Sequence, residues 1–189
     1  MFALPFRETN QPALSHGRVT LRPPRSTDYG QWAELRRASR DFLQPWEPRW
    51  ASDDLERRAW RQRLRRYRRE FDRGAGYTFF VFLTDGTLIG GISIANIRHG
   101  VAQSAQIGYW VGQQHAGKGL MLDALSALIP FGFDTLRLHR IEAACMPENK
   151  RSVRLLEKAR FQREGLMRSY LKIDGVWRDH FLYALVAGR

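Results

Sequence analysis

The run Gln106-Ile-Gly-Tyr-Trp-Val-Gly-Gln-Gln-His-Ala-Gly-Lys-Gly-Leu120 decides how this chain is read. Ile107, Tyr109 and Val111 alternate with Gly108 and Trp110, which predicts a strand with apolar groups on both faces, as in a covered sheet. Beyond the glycines, Met121, Ala124, Leu125 and Leu128 share one face of a helix. Strand, glycine loop and helix in that order leave backbone N–H groups free at a helix N-terminus, where an anion binds. Three phosphate-loop patterns compete for the segment. Gly112 to Gly119 misses the nucleotide-triphosphate loop G-x-x-x-x-G-K-[ST] at one position, because Gly119 lacks the hydroxyl that would hold Mg²⁺. A dinucleotide fingerprint needs a third glycine where Leu122 stands. The pattern Q-x-x-G-x-G is complete, at Gln114, Gly117 and Gly119.

Working outward, 189 residues suit one domain and can bury a full core. The opening Met-Phe-Ala-Leu-Pro-Phe has no basic n-region or long apolar run, so no signal peptide is expected, and no stretch is apolar enough for a membrane span. The single cysteine, Cys145, has no internal disulfide partner, which favours a reducing, cytoplasmic setting, and its apolar surroundings make it a buried structural thiol. A net charge of +12 points to acidic partners such as phosphate-rich ligands, nucleic acid or an anionic surface. His115 and His180 have no metal-ligand spacing with other His, Cys or carboxylates, so no metal is expected.

Residues 1–17, with Pro5, Pro12 and Gly17, read as a loosely ordered lead-in, and 18–186 as one domain. Arg18 to Arg22 alternates like a first strand and stops at Pro23-Pro24. Ser26-Thr-Asp28 caps a helix through Trp32 and Leu35, and Ser52 to Glu56 caps a longer one carrying Trp60, Leu64, Tyr67 and Phe71. Tyr77–Leu83 and Leu88–Ala95, joined by Asp85-Gly86, form a hairpin. The opening strand and helix follow, the helix ending near Pro130, then a strand over His139–Met146 and a helix started by Pro147-Glu-Asn149. Gly165–Ile173 and Trp177–Val186 make a last hairpin. The order is mixed α/β with hairpins at both ends of the sheet.

Asn149-Lys-Arg-Ser152-Val-Arg-Leu-Leu-Glu-Lys158-Ala-Arg-Phe161 resembles a helix of the type N-x-x-S-x-x-L-x-E-K-x-G-F. Together with the Q-x-x-G-x-G loop, it resembles the GCN5-related N-acetyltransferases (GNAT). Asp41-Phe-Leu-Gln-Pro-Trp46-Glu-Pro and Tyr170 to His180 are similar to the RimJ/RimL branch, the ribosomal-protein-alanine N-acetyltransferases, and the RimJ side in particular. The resemblance runs from about Arg18 to Leu185. Arg160 stands where the family has glycine, at a left-handed cap that arginine makes less easily.

The resemblance implies a GNAT fold: a seven-strand, mostly antiparallel sheet splayed at its centre, flanked by helices, with acetyl-CoA in the gap. It implies a cofactor site of Trp110, Val111, Gln114, His115, Ala116, Gly117, Lys118, Gly119 and Asn149, in which Asn149 can also cap its own helix. Ser152 is then the catalytic residue, its hydroxyl donating to the departing sulfur. Many members carry a tyrosine acid four residues later, where this chain has Leu156. Phe42, Trp46, Tyr170 and Trp177 are expected to line the acceptor cleft. The acceptor amine must be neutral to attack. An α-amino group of pKa about 7.7–8.0 is neutral on the order of a tenth of the time at pH 7, against about four in ten thousand for a lysine. The expected activity is acetylation of a protein N-terminus, alanine on a ribosomal protein, with small-amine acetylation as the enzymatic alternative. Glu142, Glu148 and Asp174 are the carboxylates available as base. Arginines at 57, 58, 61, 63, 65, 66, 68 and 69 crowd one helix, which raises contact with ribosomal RNA and, from another class, a ribosome-associated binding factor.

Overall fold

A computed structural model describes residues 13–188. Eight strands form one sheet in the order β1-β2-β3-β4-β5-β6-β8-β7. They are β1 Leu14–His16, β2 Val19–Arg22, β3 Gly76–Leu83, β4 Leu88–Arg98, β5 Ser104–Val111, β6 Arg140–Cys145, β7 Gln162–Ile173 and β8 Val176–Val186. Five helices flank them: α1 Tyr29–Ala38, α2 Arg40–Leu43, α3 Arg57–Asp72, α4 Leu120–Pro130 and α5 Lys150–Lys158. Every strand pair is antiparallel except β5–β6. The strand count exceeds the expected seven because Leu14–His16, in the segment read as lead-in, pairs with β2 through Leu14↔Leu21 and His16↔Val19. The rest of the lead-in, residues 1–12, lies outside the described residues.

The sheet is covered on both faces, and its sequence says why. In β3 the run Phe79-Phe80-Val81-Phe82 is buried throughout. Phe79 and Val81 join α4, α5 and the centre of the sheet in the main core; Phe80 and Phe82 face Trp32, Leu35 and Trp60 of α1 and α3 in a smaller one. Burying a side chain such as Phe79 contributes on the order of 1.5–3 kcal/mol relative to exposing it. α3 begins at Arg57, but no side chain of Ser52 to Glu56 caps it; Asp54 instead pairs with Arg63 at 2.7 Å. α4 runs to Pro130 and passes into a π-turn over Phe131–Thr135, which accommodates the proline at the helix end.

At the end of α5, Arg160 takes the left-handed conformation, φ 65°. Arg160 N–H donates to the Glu157 carbonyl and Phe161 N–H to the Leu156 carbonyl, the paired bonds of a Schellman cap. The glycine-type turn forms without glycine, because both bonds and the burial of Phe161 hold it.

One feature of the topology makes the site. β5 and β6 are paired only from Ser104↔Arg140 to Ile107↔Ala143. Beyond that point β5 stays on β4, through Gly108↔Ser93 to Val111↔Gly90, while β6 stays on β8. The sheet therefore splits, and the edge of Gly108–Val111 that faces β6 has no strand partner.

Candidate active site

The split opens into a cleft of about 720 Å³. One wall is β5 from Ile107 to Val111 with the loop and first turn of α4; the other is Ala144–Met146 with Asn149, Ser152 and Leu155 of α5. Phe42 of α2, with Trp46 and Glu47 from the segment after it, closes a third side.

The loop at the mouth is built as the sequence predicts. Gly117 and Gly119 sit at φ 76° and 78°, where a side chain is strained. A Cβ on Gly119 would also lie 3.1 Å from the Arg18 guanidinium. Among the described residues, the backbone N–H groups of Gln114 and of 117–121 donate to no protein acceptor. That row of free N–H groups at the N-terminus of α4 could hold an anion such as a pyrophosphate. Arg18 braces it from β2: Nη2 donates to the Lys118 carbonyl at 2.9 Å and Nε to Asp123 at 3.1 Å. Gln114 and Lys118 are not among the residues that line the cleft; what they present at its mouth is a free backbone N–H each. His115 and Ala116 do line it, as do Trp110 and Val111. Burial, then the Lys118 charge, lowers the His115 pKa, so its ring is neutral at pH 7.

Asn149 caps α5, its Oδ1 accepting from Ser152 N–H at 3.1 Å, and its amide also lines the cleft. The two roles anticipated for it are compatible. Arg151, Arg154 and Lys158 also edge the cleft from α5. Helical spacing could have flagged the last two, four residues apart, as a cationic rim.

Ser152 lies in the cleft wall, 2.6 Å from the Tyr109 hydroxyl. Cys145 is buried beside them, and that burial pushes its thiol up to about 11.

Of the expected acceptor aromatics, Phe42 and Trp46 line the cleft, and Tyr170 and Trp177 do not. Tyr170 packs edge-on against His180 and accepts from Gln106 Nε2 at 3.3 Å, beside the cleft wall. Trp177 is 59% exposed, at the start of β8. None of the three carboxylates considered as base faces the cleft. Glu142 is held by Arg98 and Arg140, Asp174 by Gln44 and Arg49 at the β7–β8 turn, and Glu148 is not among the lining groups.

The carboxylate that does line the cleft is Glu47. Arg36 grips it with two bonds, 2.8 and 2.6 Å, and Trp50 Nε1 donates to it at 2.8 Å. Arg36 itself is sandwiched between the rings of Trp50 and Trp110, at 4.1 and 4.9 Å. A second cavity, of about 330 Å³, runs between α3 and strands β3–β5 and meets the cleft at Gly108, Tyr109, Trp110 and Glu47.

A sheet split beside a parallel pair, with a row of free N–H groups at one end and an unpaired strand edge for amide groups, defines an acyl-CoA-dependent N-acyltransferase. The donor set fits acetyl-CoA: free N–H groups for the pyrophosphate, the Gly108–Val111 edge for the pantetheine arm, a cationic rim on α5. The chain belongs to the acetyltransferase (GNAT) domain family, whose profile matches residues 18–162. It is an N-acetyltransferase that uses acetyl-CoA. It is 37% identical over 173 residues to the [ribosomal protein uS5]-alanine N-acetyltransferase of Escherichia coli, covering 91% of this chain and 89% of that protein. It is 37% identical over 169 residues to a probable N-acetyltransferase of Bacillus subtilis, YjcK, covering 89% and 93%. Among solved structures, Mycobacterium smegmatis RimJ in complex with CoA-disulfide matches with TM-score 0.87 at 38% identity, covering 93% of this chain and 86% of that one. The ribosomal-protein-S5-alanine acetyltransferase of Vibrio fischeri matches with TM-score 0.86 at 28% identity, covering 94% and 98%.

Proposed function

We propose that this enzyme acetylates the N-terminal α-amine of a ribosomal protein, with a small first residue such as alanine, in the cytoplasm where those proteins are made. One observation carries the choice of an α-amine. Among the described residues, Glu47 is the single carboxylate lining the acetyl-CoA cleft, and Arg36 and Trp50 hold both its oxygens. No free carboxylate stands in that cleft where a lysine would have to be deprotonated, and Glu70 of the adjoining α3 cavity is paired with Arg66 at 3.6 Å. An α-amine needs none, because a useful fraction is already neutral near pH 7.

The donor supplies an activated thioester whose carbonyl the amine attacks directly. The chain's part is to bind, orient and stabilise. The N–H groups of 117–121 hold the pyrophosphate end; the Gly108–Val111 edge aligns the arm and offers N–H groups to the carbonyl oxygen as charge develops. Ser152 offers its hydroxyl to the sulfur. The α3 cavity, meeting the cleft at Gly108–Trp110, is the path for the first residues of the acceptor. Gly108 forms its exposed floor, and a Cβ there would meet only Ser93 Oγ, at 3.6 Å. The relatives named for ribosomal-protein alanine support this acceptor class.

The outer face of α3 supports contact with ribosomal RNA. Of its eight arginines, Arg63, Arg66 and Arg68 pair with carboxylates and Arg57 stacks on Tyr29. Arg58, Arg61, Arg65 and Arg69 recur every three or four residues, exposed and outside every ion pair among the described residues. Four phosphates neutralised by this stripe predict about a 50-fold loss of affinity for single-stranded RNA between 50 and 200 mM salt.

The test is incubation with labelled acetyl-CoA, ribosomal proteins and a panel of small amines, with the label mapped by mass spectrometry. The proposal expects label on a protein N-terminus. Label on small amines alone would overturn it.

A further inference from the structure

The residue four places beyond Ser152 is Leu156, wholly buried, so α5 brings no phenol to the reaction centre. A phenol arrives from the facing strand instead. Tyr109, in β5, reaches across the split and places its hydroxyl 2.6 Å from Ser152 Oγ. Among the described residues, this is the one hydrogen-bonding partner of that phenol.

We propose that Tyr109 is a positioning residue for acetyl transfer, donating its O–H to Ser152 Oγ so that the serine proton points at the leaving sulfur. The inference rests on acetyl transfer in this cleft and adds a residue to it. A phenol is a stronger acid than an alcohol, so in a phenol–serine pair the phenol is the better donor and the serine oxygen the better acceptor. Burial raises the Tyr109 pKa well above the usual phenol value, which keeps the proton on the ring oxygen. A serine hydroxyl has one proton and two lone pairs. With a lone pair committed to Tyr109, its proton is free to turn into the cleft. The other titratable groups at this spot are Cys145, Tyr183 and Glu157. The Glu157 carboxylate accepts from the Tyr183 hydroxyl at 3.3 Å. Burial keeps Cys145 as a thiol, which Ser152 also meets, and a neutral thiol sulfur is a weaker acceptor than a departing thiolate, so the serine proton turns to the leaving group.

In the transfer step the amine nitrogen forms the C–N bond and the C–S bond breaks, its electron pair leaving on sulfur. The sulfur departs as a thiolate hydrogen-bonded to Ser152 and takes its proton from water; the amine loses its extra proton to water. Without Tyr109 the serine hydroxyl rotates freely, and the thiolate loses a pre-aimed donor.

Tyr109→Phe keeps the ring and its packing and removes only the donor. Losing one neutral hydrogen bond predicts about a tenfold fall in kcat, with KM for acetyl-CoA unchanged. Because Tyr109 acts through Ser152, adding Tyr109→Phe to Ser152→Ala lowers kcat no further. A second readout needs no acceptor. The thiol of bound CoA is titrated by thiolate absorbance, each free protein serving as its own blank so that Cys145 is subtracted. At a pH well below the titration midpoint of the bound thiol the wild type holds about tenfold more CoA thiolate than Tyr109→Phe or Ser152→Ala, and the two variants agree. Equal thiolate in all three proteins, or independent losses of kcat in the double variant, would overturn the inference. An absence of turnover in the wild type would count against acetyl transfer instead and leave the thiol titration to decide the role of Tyr109.

Discussion

Replacing Arg36 by methionine removes the cation that holds the acceptor side of the cleft together. The Arg36 side chain is 8% exposed and that of Glu47 19%. The substitution deletes both bonds to Glu47 and both cation–π contacts, and leaves the carboxylate with Trp50 Nε1 alone. Breaking a buried pair from one side costs about 3–5 kcal/mol, because a charge is left uncompensated. Water reaches part of Glu47, which sets the expectation at about 3 kcal/mol, or about 6–12 °C in Tm for a domain of this size. The Glu47 carbonyl also accepts from Asp174 N–H at 2.9 Å, so the loop at 44–50 and the β7–β8 turn loosen together. The assay is denaturant unfolding followed by tryptophan fluorescence, on Arg36→Met and on the double variant with Glu47→Gln. The double variant recovers most of the loss, since no charge is stranded. A single-variant loss under about 1 kcal/mol, or a double variant no better than the single, would refute the reasoning.

Other parts of the structure make separate predictions. Arg160→Gly relieves a left-handed arginine and raises stability by about 1 kcal/mol in the same unfolding assay, with activity unchanged. Gly119→Val strains a backbone at φ 78° and crowds Arg18, so acetyl-CoA binding measured calorimetrically weakens by about tenfold or more while the far-UV CD spectrum is retained. Cys145, with its thiol near 11 rather than 9.0, carries about a hundredth of the ordinary thiolate at pH 8. Iodoacetamide therefore modifies it about a hundredfold more slowly than a model thiol, and faster once urea unfolds the protein.

The halves of the cofactor site that the sequence makes legible are those built from neighbours in the chain. Gln114, Gly117 and Gly119 share one loop, and Asn149 and Ser152 one helix turn, so a short motif and the resemblance it carries are enough to bring them forward. Arg160 was legible as a problem, and the structure answers it with two cap bonds. Contacts between distant segments leave no such trace. Arg18 meets the loop from 100 residues away, Tyr109 meets Ser152 across the split, and Arg36 meets Glu47 through a fold of the chain. Tyr109 reads in sequence as one apolar member of an alternating strand; only the splay turns its hydroxyl toward chemistry. Trp177 shows the opposite limit. An aromatic beside a turn signals burial or a site, yet the Trp177 ring stands in solvent.

The central claim is transfer to an α-amine without a protein base, and a pair of peptides tests it most directly. One begins with a free alanine and has no lysine; the other has the same sequence with a blocked N-terminus and one internal lysine. With the purified enzyme and acetyl-CoA, acetylation is predicted on the first peptide alone, its rate rising with pH and levelling near pH 8 as the α-amine becomes neutral. Acetylation of the lysine peptide at a comparable rate would contradict the account.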